Sequence, residues 1–163
     1  MTVGNDTPTP EKGKGFLLRK GGFFNDSYAG DVSPLEAWKS LQKERNSILI
    51  DVRTIPEWQF VGAPDLSKLN KEVIFISWRL YPNMAINKEF CIQLAKSVAP
   101  KDAMLFFICR SGHRSMDAAI EATRYGYNNC YNIAGGFEGD VNEHGHRACR
   151  NGWKLNNLPW GQN

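Results

Sequence analysis

Met104-Leu105-Phe106-Phe107-Ile108 is an apolar run of strand length that ends on Cys109. A stretch apolar at consecutive positions is buried on both faces, so it belongs at the centre of a sheet covered on two sides. Arg110-Ser111-Gly112-His113-Arg114-Ser115 follows at once, and Met116, Ala119, Ile120 and Thr123 then recur at helical spacing, with Gly126 as the stop. Cys109 is therefore expected at the carboxyl end of a central strand, facing the amino end of a helix. Open α/β sheets place their ligands there. First-turn N–H groups and the helix dipole favour an anion. They favour a thiolate for the same reason, and Arg110 and Arg114 push the same way, which is the environment of a nucleophilic cysteine.

The rest of the chain repeats the alternation. Tyr28 to Val32 reads as a short first strand. Ser33-Pro34-Leu35-Glu36 combines a capping serine, a proline at the first helical position and the S-x-x-E box, with Leu35, Trp38 and Leu41 on one face of a helix running to about Arg45. Ser47 to Asp51 is a second strand, and Val73 to Ser77 a third. Asn87 is placed to cap a helix that carries Phe90, Cys91, Leu94, Ala95 and Val98 and ends at Ala99-Pro100. Cys130 to Ile133 is the last strand. Strands alternating with helices predict an α/β domain, with a parallel sheet covered on both faces.

A chain of 163 residues holds one domain with a real core. The net charge of +3 comes without a basic block, so neither nucleic acid nor a membrane surface is expected as a partner. No stretch approaches the ~20 apolar residues of a membrane span. The four cysteines, Cys91, Cys109, Cys130 and Cys149, are too widely spaced for a disulfide framework or a zinc site, so no metal or cofactor is expected. Cys91 and Cys130 read as plain hydrophobes. His144 and His146 read as solvated or capping. A reducing, cytoplasmic setting follows from that cysteine usage. Residues 1–27 are expected to be a mobile or loosely packed leader, with Phe16 to Phe24 lying over the domain. Residues 28–140 form the domain. Residues 141–163, polar but carrying Trp153, Leu155, Leu158 and Trp160, form a tail wrapping back onto it.

From Cys109 to Arg114 the spacing is C-x4-R, with Ser115 next. This loop resembles the active loop of the rhodanese family of sulfurtransferases. Asp51-Val52-Arg53 with Glu57-Trp58 resembles a second rhodanese segment, and Ala134-Gly135-Gly136-Phe137 the glycine turn that the family places after its last strand. Val61-Gly62-Ala63-Pro64 lacks the histidine that the family usually has there. The stretch from Gly136 to Trp160 is similar to the tail of a subgroup of bacterial single-domain rhodaneses. The resemblance covers roughly Tyr28 to Trp160. It implies a rhodanese-like domain with a five-stranded, mainly parallel sheet and helices on both faces. It also implies that Asp51 sits under the active loop, accepting from loop N–H groups or Ser115, and that Arg53 pairs with Glu57. Asp51, Arg53 and Glu57 would be structural support.

What the resemblance implies chemically is sulfur transfer. Cys109 would take a sulfane sulfur from a donor such as thiosulfate or a persulfide, and pass it to a thiol, to cyanide or to a sulfur-carrier protein. The N–H groups of Arg110, Ser111, Gly112, His113, Arg114 and Ser115 would hold the charge. Arg110 and Arg114 are candidates for the sulfite oxygens. Ser115 would cap the helix or bond the sulfur, and His113 is either a solvent-facing side chain or a general acid. Ser111 stands where some thiosulfate-using relatives have lysine. Trp78 and Tyr81 would either wall the pocket or pack, and Arg79 would contact an anion or be solvated. Cys149 would either resolve the persulfide or stay inert at the surface. Two other classes are compatible with parts of the pattern. One is a cysteine-loop phosphatase or arsenate reductase, against which the C-x4-R spacing argues, because a tetrahedral oxyanion needs a wider loop. The other is a non-catalytic rhodanese-like binding module.

Overall fold

Parallel pairing of the apolar runs organises the chain in the computed structural model, which describes residues 27–162. The leader and the Phe16–Phe24 segment lie outside the described residues, apart from residue 27. The strands are β1 (Gly30–Val32), β2 (Ser47–Asp51), β3 (Ala63–Pro64), β4 (Val73–Phe75), β5 (Arg79–Leu80), β6 (Ala85–Ile86), β7 (Met104–Ile108), β8 (Asn129–Ile133) and β9 (Trp160–Gly161). The helices are α1 (Pro34–Lys43), α2 (Ile55–Phe60), α3 (Phe90–Ser97) and α4 (His113–Arg124). A five-stranded sheet runs β1-β8-β7-β2-β4, with every neighbouring pair parallel. Two short antiparallel pairs, β3 with β9 and β5 with β6, lie apart from it.

β7 is the central strand, as its unbroken apolar pattern predicts. Leu105, Phe106, Phe107 and Ile108 are essentially inaccessible to solvent. Side chains on a strand alternate between faces. Leu105, Phe107 and Cys109 join a cluster with Phe90 and Leu94 of α3 and Ala118 and Ala119 of α4. Phe106 and Ile108 join the opposite cluster, with Ala37 and Leu41 of α1, Phe137, Trp153 and Leu158. The two-residue period therefore sends Cys109 to the α4 side, two positions beyond Phe107.

Local signals explain most element ends. At the start of α1 the Glu36 N–H donates to Ser33 Oγ, and the Ser33 N–H donates back to the Glu36 carboxylate at 2.7 Å. The helix ends at Lys43 rather than near Arg45. Ser47 Oγ and Lys71 Nζ both donate to the Glu44 carbonyl there, taking the place of further helical bonds. The third strand ends at Phe75 rather than Ser77, yet Ile76 and Trp78 still donate to the Asp51 and Val52 carbonyls. Asn87 lies two residues ahead of the α3 cap and accepts the Glu89 N–H, so it shapes the entry turn rather than capping the helix.

Beyond Phe137 the chain returns to the α1 face. Trp153 is fully buried, meets Trp38 edge-on at 5.9 Å between ring centroids and donates from Nε1 to the Pro159 carbonyl. Leu158 is buried beside it, whereas Leu155 and Trp160 remain well exposed. The Trp153 and Lys154 amides donate to the carbonyls of Gly136 and Phe137. Removing so large a buried ring leaves a cavity and takes one of two donors from the Pro159 carbonyl, which keeps the Asp65 N–H. Trp153→Ala is expected to lower unfolding stability by about 3–5 kcal/mol in a denaturant titration. A loss below about 1 kcal/mol, the range of surface substitutions, would mean that the tail is not part of the folding unit.

Candidate functional site

Cys109 follows the last residue of β7, and three residues separate it from the start of α4. The loop between them is aimed by the turn after β8. The Phe137 N–H donates to the Cys109 carbonyl at 2.8 Å, and the Glu138 and Gly139 N–H groups donate to the Arg110 carbonyl at 2.9 and 3.1 Å. In a trans peptide the N–H points opposite to the preceding carbonyl. Tying those two carbonyls to the turn therefore points the Arg110 and Ser111 N–H groups away from it. Gly136, at φ +58°, makes the approach possible, because a Cβ there would lie 2.5 Å from the Cys109 oxygen. Gly112, at φ +109°, lets the loop curl so that its own N–H donates to Cys109 Sγ at 3.1 Å. His113, Arg114 and Ser115 form the first turn of α4, whose N–H groups have no helical acceptor.

The sulfur lies at the floor of a cleft of about 600 Å³ lined by Arg110, Ser111, His113, Arg114, Glu57, Tyr81, Met84, Glu138 and Arg147 among others. Only 1% of Cys109 is exposed, so a reactant reaches it through this cleft or not at all. Ser115 Oγ lies 3.2 Å from Sγ, so of its two expected roles the structure gives it the contact with sulfur. His113 is exposed, and its Nδ1 lies 3.5 Å from Ser111 Oγ. Tyr81 walls the cleft, but Trp78 packs edge-on against Phe90 in the core instead. Arg79 donates to the Met84 carbonyl, which holds the intervening loop.

Two expected pairings are replaced. Arg53 does not meet Glu57. Its guanidinium closes on Asp51, with Nη2 2.6 Å from Oδ2 and Nε 3.0 Å from Oδ1, and also donates to the Gly62 carbonyl. Both side chains are wholly buried, and a buried carboxylate needs a cation and hydrogen bonds at hand. Arg53, two residues away, supplies both, so Asp51 accepts neither from the loop amides nor from Ser115. The Arg53 guanidinium also lies 4.2 Å from the Phe137 ring centroid, under the turn that aims the loop. Asp51 and Arg53 thus support the loop from below through Phe137.

Glu57 pairs instead with Arg114 across the cleft wall, in a two-pronged contact of 2.7 and 2.8 Å. It also accepts the Thr54 N–H and hydroxyl at the start of α2. Burial pushes the Glu57 carboxyl up, but the Arg114 and Thr54 bonds outweigh it and hold it at about 2. Burial would lower Arg114, and the same bonds to Glu57 raise it instead. Arg114 is thereby committed as a fork to protein oxygen, which leaves Arg110 as the loop's exposed guanidinium.

The remaining cysteines differ from Cys109. Burial pushes the Cys91 and Cys130 thiols up to about 11. Cys149 is exposed and points its thiol at the Arg147 carbonyl. The His144 and His146 amides both donate to Asn142 Oδ1. Among the described residues no cluster of three or more His, Cys, Asp or Glu could hold a metal, and no helix is long and apolar enough to cross a membrane. Asn132 was not singled out from the sequence, yet its Oδ1 lies 2.6 Å from Ser115 Oγ. An asparagine inside the apolar strand Cys130-Tyr131-Asn132-Ile133 was the available signal, since a buried amide must find partners. Glu138 and Arg147 reach the cleft from the tail side and carried no sequence signal.

The Glu57–Arg114 contact makes stability depend on acid. Glu57 is lowered from 4.5 to about 2 on folding, so its contribution is complete above 4.5 and is lost as pH falls towards 2. Glu57→Gln is expected to be less stable than the parent at neutral pH, with the gap closing between about pH 4.5 and 2 in parallel denaturant titrations. A gap that stays constant across that range would show that the charge on Glu57 contributes nothing.

Comparison with known proteins places these features in a family. The family described as STR4 middle domain matches residues 29–163. A Rickettsia conorii protein described as Uncharacterized protein RC0915 is 45% identical over 131 residues, covering 80% of this chain and 95% of the relative. The crystal structure of Rv0390 from M. tuberculosis superposes with a TM-score of 0.77 at 42% identity, over 84% of this chain and 100% of that one. The solution structure of a 30 kDa polysulfide-sulfur transferase homodimer from Wolinella succinogenes shares the fold, with a TM-score of 0.54 at 23% identity over 81% of this chain and 77% of that one. The chain belongs to the STR4 middle domain family and has a rhodanese-like α/β fold.

Proposed function

We propose that this chain is a sulfurtransferase that carries sulfane sulfur as a persulfide on Cys109. The observation that carries this reading is the position of Sγ. It lies at the floor of the cleft, inside a four-residue loop whose Gly112 N–H already donates to it. In thiosulfate transfer the Cys109 thiolate attacks the outer sulfur, the S–S bond of the donor breaks, and sulfite leaves with the bonding electron pair. The negative charge then resides on the outer sulfur of Cys109–S–S⁻, where the N–H groups of Arg110 to Ser115 stabilise it. A second thiolate, or cyanide, attacks that outer sulfur and returns Cys109 as thiolate, so the cycle balances without an external electron donor or acceptor. Arg110 contacts the sulfite oxygens at the mouth. The acceptor is a small thiol, cyanide or a sulfur-carrier protein that presents a thiol, and a reducing compartment keeps Cys109 usable.

The commitment of Arg114 to Glu57 supports this reading over a phosphatase. Phosphoryl transfer asks the loop arginine to fork onto phosphate oxygens, and here both of its prongs are filled by a carboxylate. Asp51, Arg53 and Glu57 act as supports rather than reactants.

The test combines a thiosulfate:cyanide assay with mass spectrometry of the intact chain. The parent protein is expected to gain one sulfur on Cys109 and to release thiocyanate on adding cyanide, and Cys109→Ser to do neither. Turnover retained in Cys109→Ser would overturn the proposal. Hydrolysis of an aryl phosphate by the parent protein would point to the oxyanion alternative.

A further inference from the structure

A chain of polar contacts runs from the first strand to the sulfur. Tyr28 Oη donates to Asp31 Oδ1 at 2.8 Å, and Asn132 Nδ2 donates to the same oxygen at 2.9 Å. Asn132 Oδ1 lies 2.6 Å from Ser115 Oγ, which lies 3.2 Å from Cys109 Sγ. Asn132 and Ser115 are buried on β8 and on the first turn of α4. Burial, and then the bond to Asp31, push the Tyr28 hydroxyl far above its ordinary value, so it remains a donor.

These contacts fix where one proton lies. A carboxylate only accepts, so the Asn132 amide must turn its NH₂ towards Asp31. Its carbonyl oxygen then faces Ser115 and can only accept. A serine hydroxyl carries a single proton, and the 2.6 Å contact places it on the Asn132 side. Ser115 therefore presents a lone pair, not a hydrogen, to Cys109 Sγ.

We infer that Asn132, oriented by Asp31, is a positioning residue that holds the Ser115 proton away from Cys109. The floor of the site then suits an uncharged sulfur at Sγ, while the loop amides suit an anion one atom further out. The second half of this inference rests on the persulfide reading; the placement of the Ser115 proton does not. In its thiol form Cys109 donates its own S–H to Ser115 Oγ. Before attack that proton passes to solvent water in the cleft, and the bare thiolate keeps the Gly112 N–H but faces the Ser115 lone pair. Bonding to the sulfane sulfur makes Sγ a neutral divalent atom again, with the charge on the outer sulfur beneath the amides. A thiolate with fewer stabilising bonds is also the stronger nucleophile.

The experiment is the pH profile of iodoacetamide alkylation at Cys109 in the full chain, read by peptide mass spectrometry so that Cys149 is counted separately. In Asn132→Ala the serine proton is free to turn to the sulfur. The profile is expected to move to lower pH, with an alkylation rate at pH 7 about tenfold higher, the scale of one hydrogen bond to a charged group. In Ser115→Ala the profile is expected to stay in place or move to lower pH, because the hydroxyl gives the thiolate no bond in the parent. Adding Asn132→Ala to Ser115→Ala is expected to change nothing further. A Ser115→Ala profile moved to higher pH would overturn the inference, as would an unmoved profile in a folded Asn132→Ala. Should Asn132→Ala fail to fold, Ser115→Ala decides alone. Alkylation needs no sulfur donor, so these profiles judge the proton placement even if thiosulfate leaves no sulfur on Cys109. That result would remove the sulfurtransferase reading instead.

Discussion

The hydrogen bonds from the Gly135–Gly139 turn to the Cys109 and Arg110 carbonyls constrain everything above them. Carbonyls held on one side of the backbone force the following amides to the other. The direction of the loop's dipoles is thus set by a strand end and a glycine turn distant in sequence. Gly136 is the residue on which this depends, since any Cβ there would strike the Cys109 and Arg110 backbone. The tail strengthens the arrangement, because the Trp153 amide binds the Gly136 carbonyl and the Trp153 ring fills the core below.

Charge around the cleft is compensated near its walls and left open at its mouth. Arg53 is neutralised by Asp51 beneath the turn, and Arg114 by Glu57 beside the loop. Each pair fixes geometry: one lies under Phe137, the other ties α2 to the first turn of α4. What remains for a guest anion is the ring of amides, the exposed Arg110, and Arg147, against Glu138. In the proposed function such a site favours one compact negative atom beneath the amides, one atom above the floor, over a broad oxyanion gripped by a loop arginine. In the proposed cycle the same economy of charge keeps Sγ neutral while the atom above it is anionic.

Much of the fold was legible because its signals are local. The apolar run before Cys109 identified the central strand, the Ser33–Glu36 box marked the start of α1, and a helix was visible after Gly112. The glycine pair after β8 resembles the glycine turn of rhodaneses, and Gly136 makes the close approach to the Cys109 loop. Partner choice among charges was not legible. Arg53, Glu57 and Arg114 have reaches that allow several pairings, and only the complete burial of Asp51 decides among them. Asn132 was hidden for a related reason: its partners Ser115 and Asp31 lie 17 and 101 residues away in sequence. For Trp78 packing is the commoner role of such an aromatic, but its contact with Phe90 is a tertiary fact.

In the proposed function the loop amides hold a negatively charged sulfur attached to Cys109. The most direct measurement is a crystal soaked in thiosulfate and examined at the cysteine. One additional atom is expected bonded to Sγ, lying within hydrogen-bond distance of several amides from Arg110 to Ser115, with Arg114 still on Glu57. An unmodified Sγ under conditions that load another cysteine, or an added atom turned away from those amides, would contradict it.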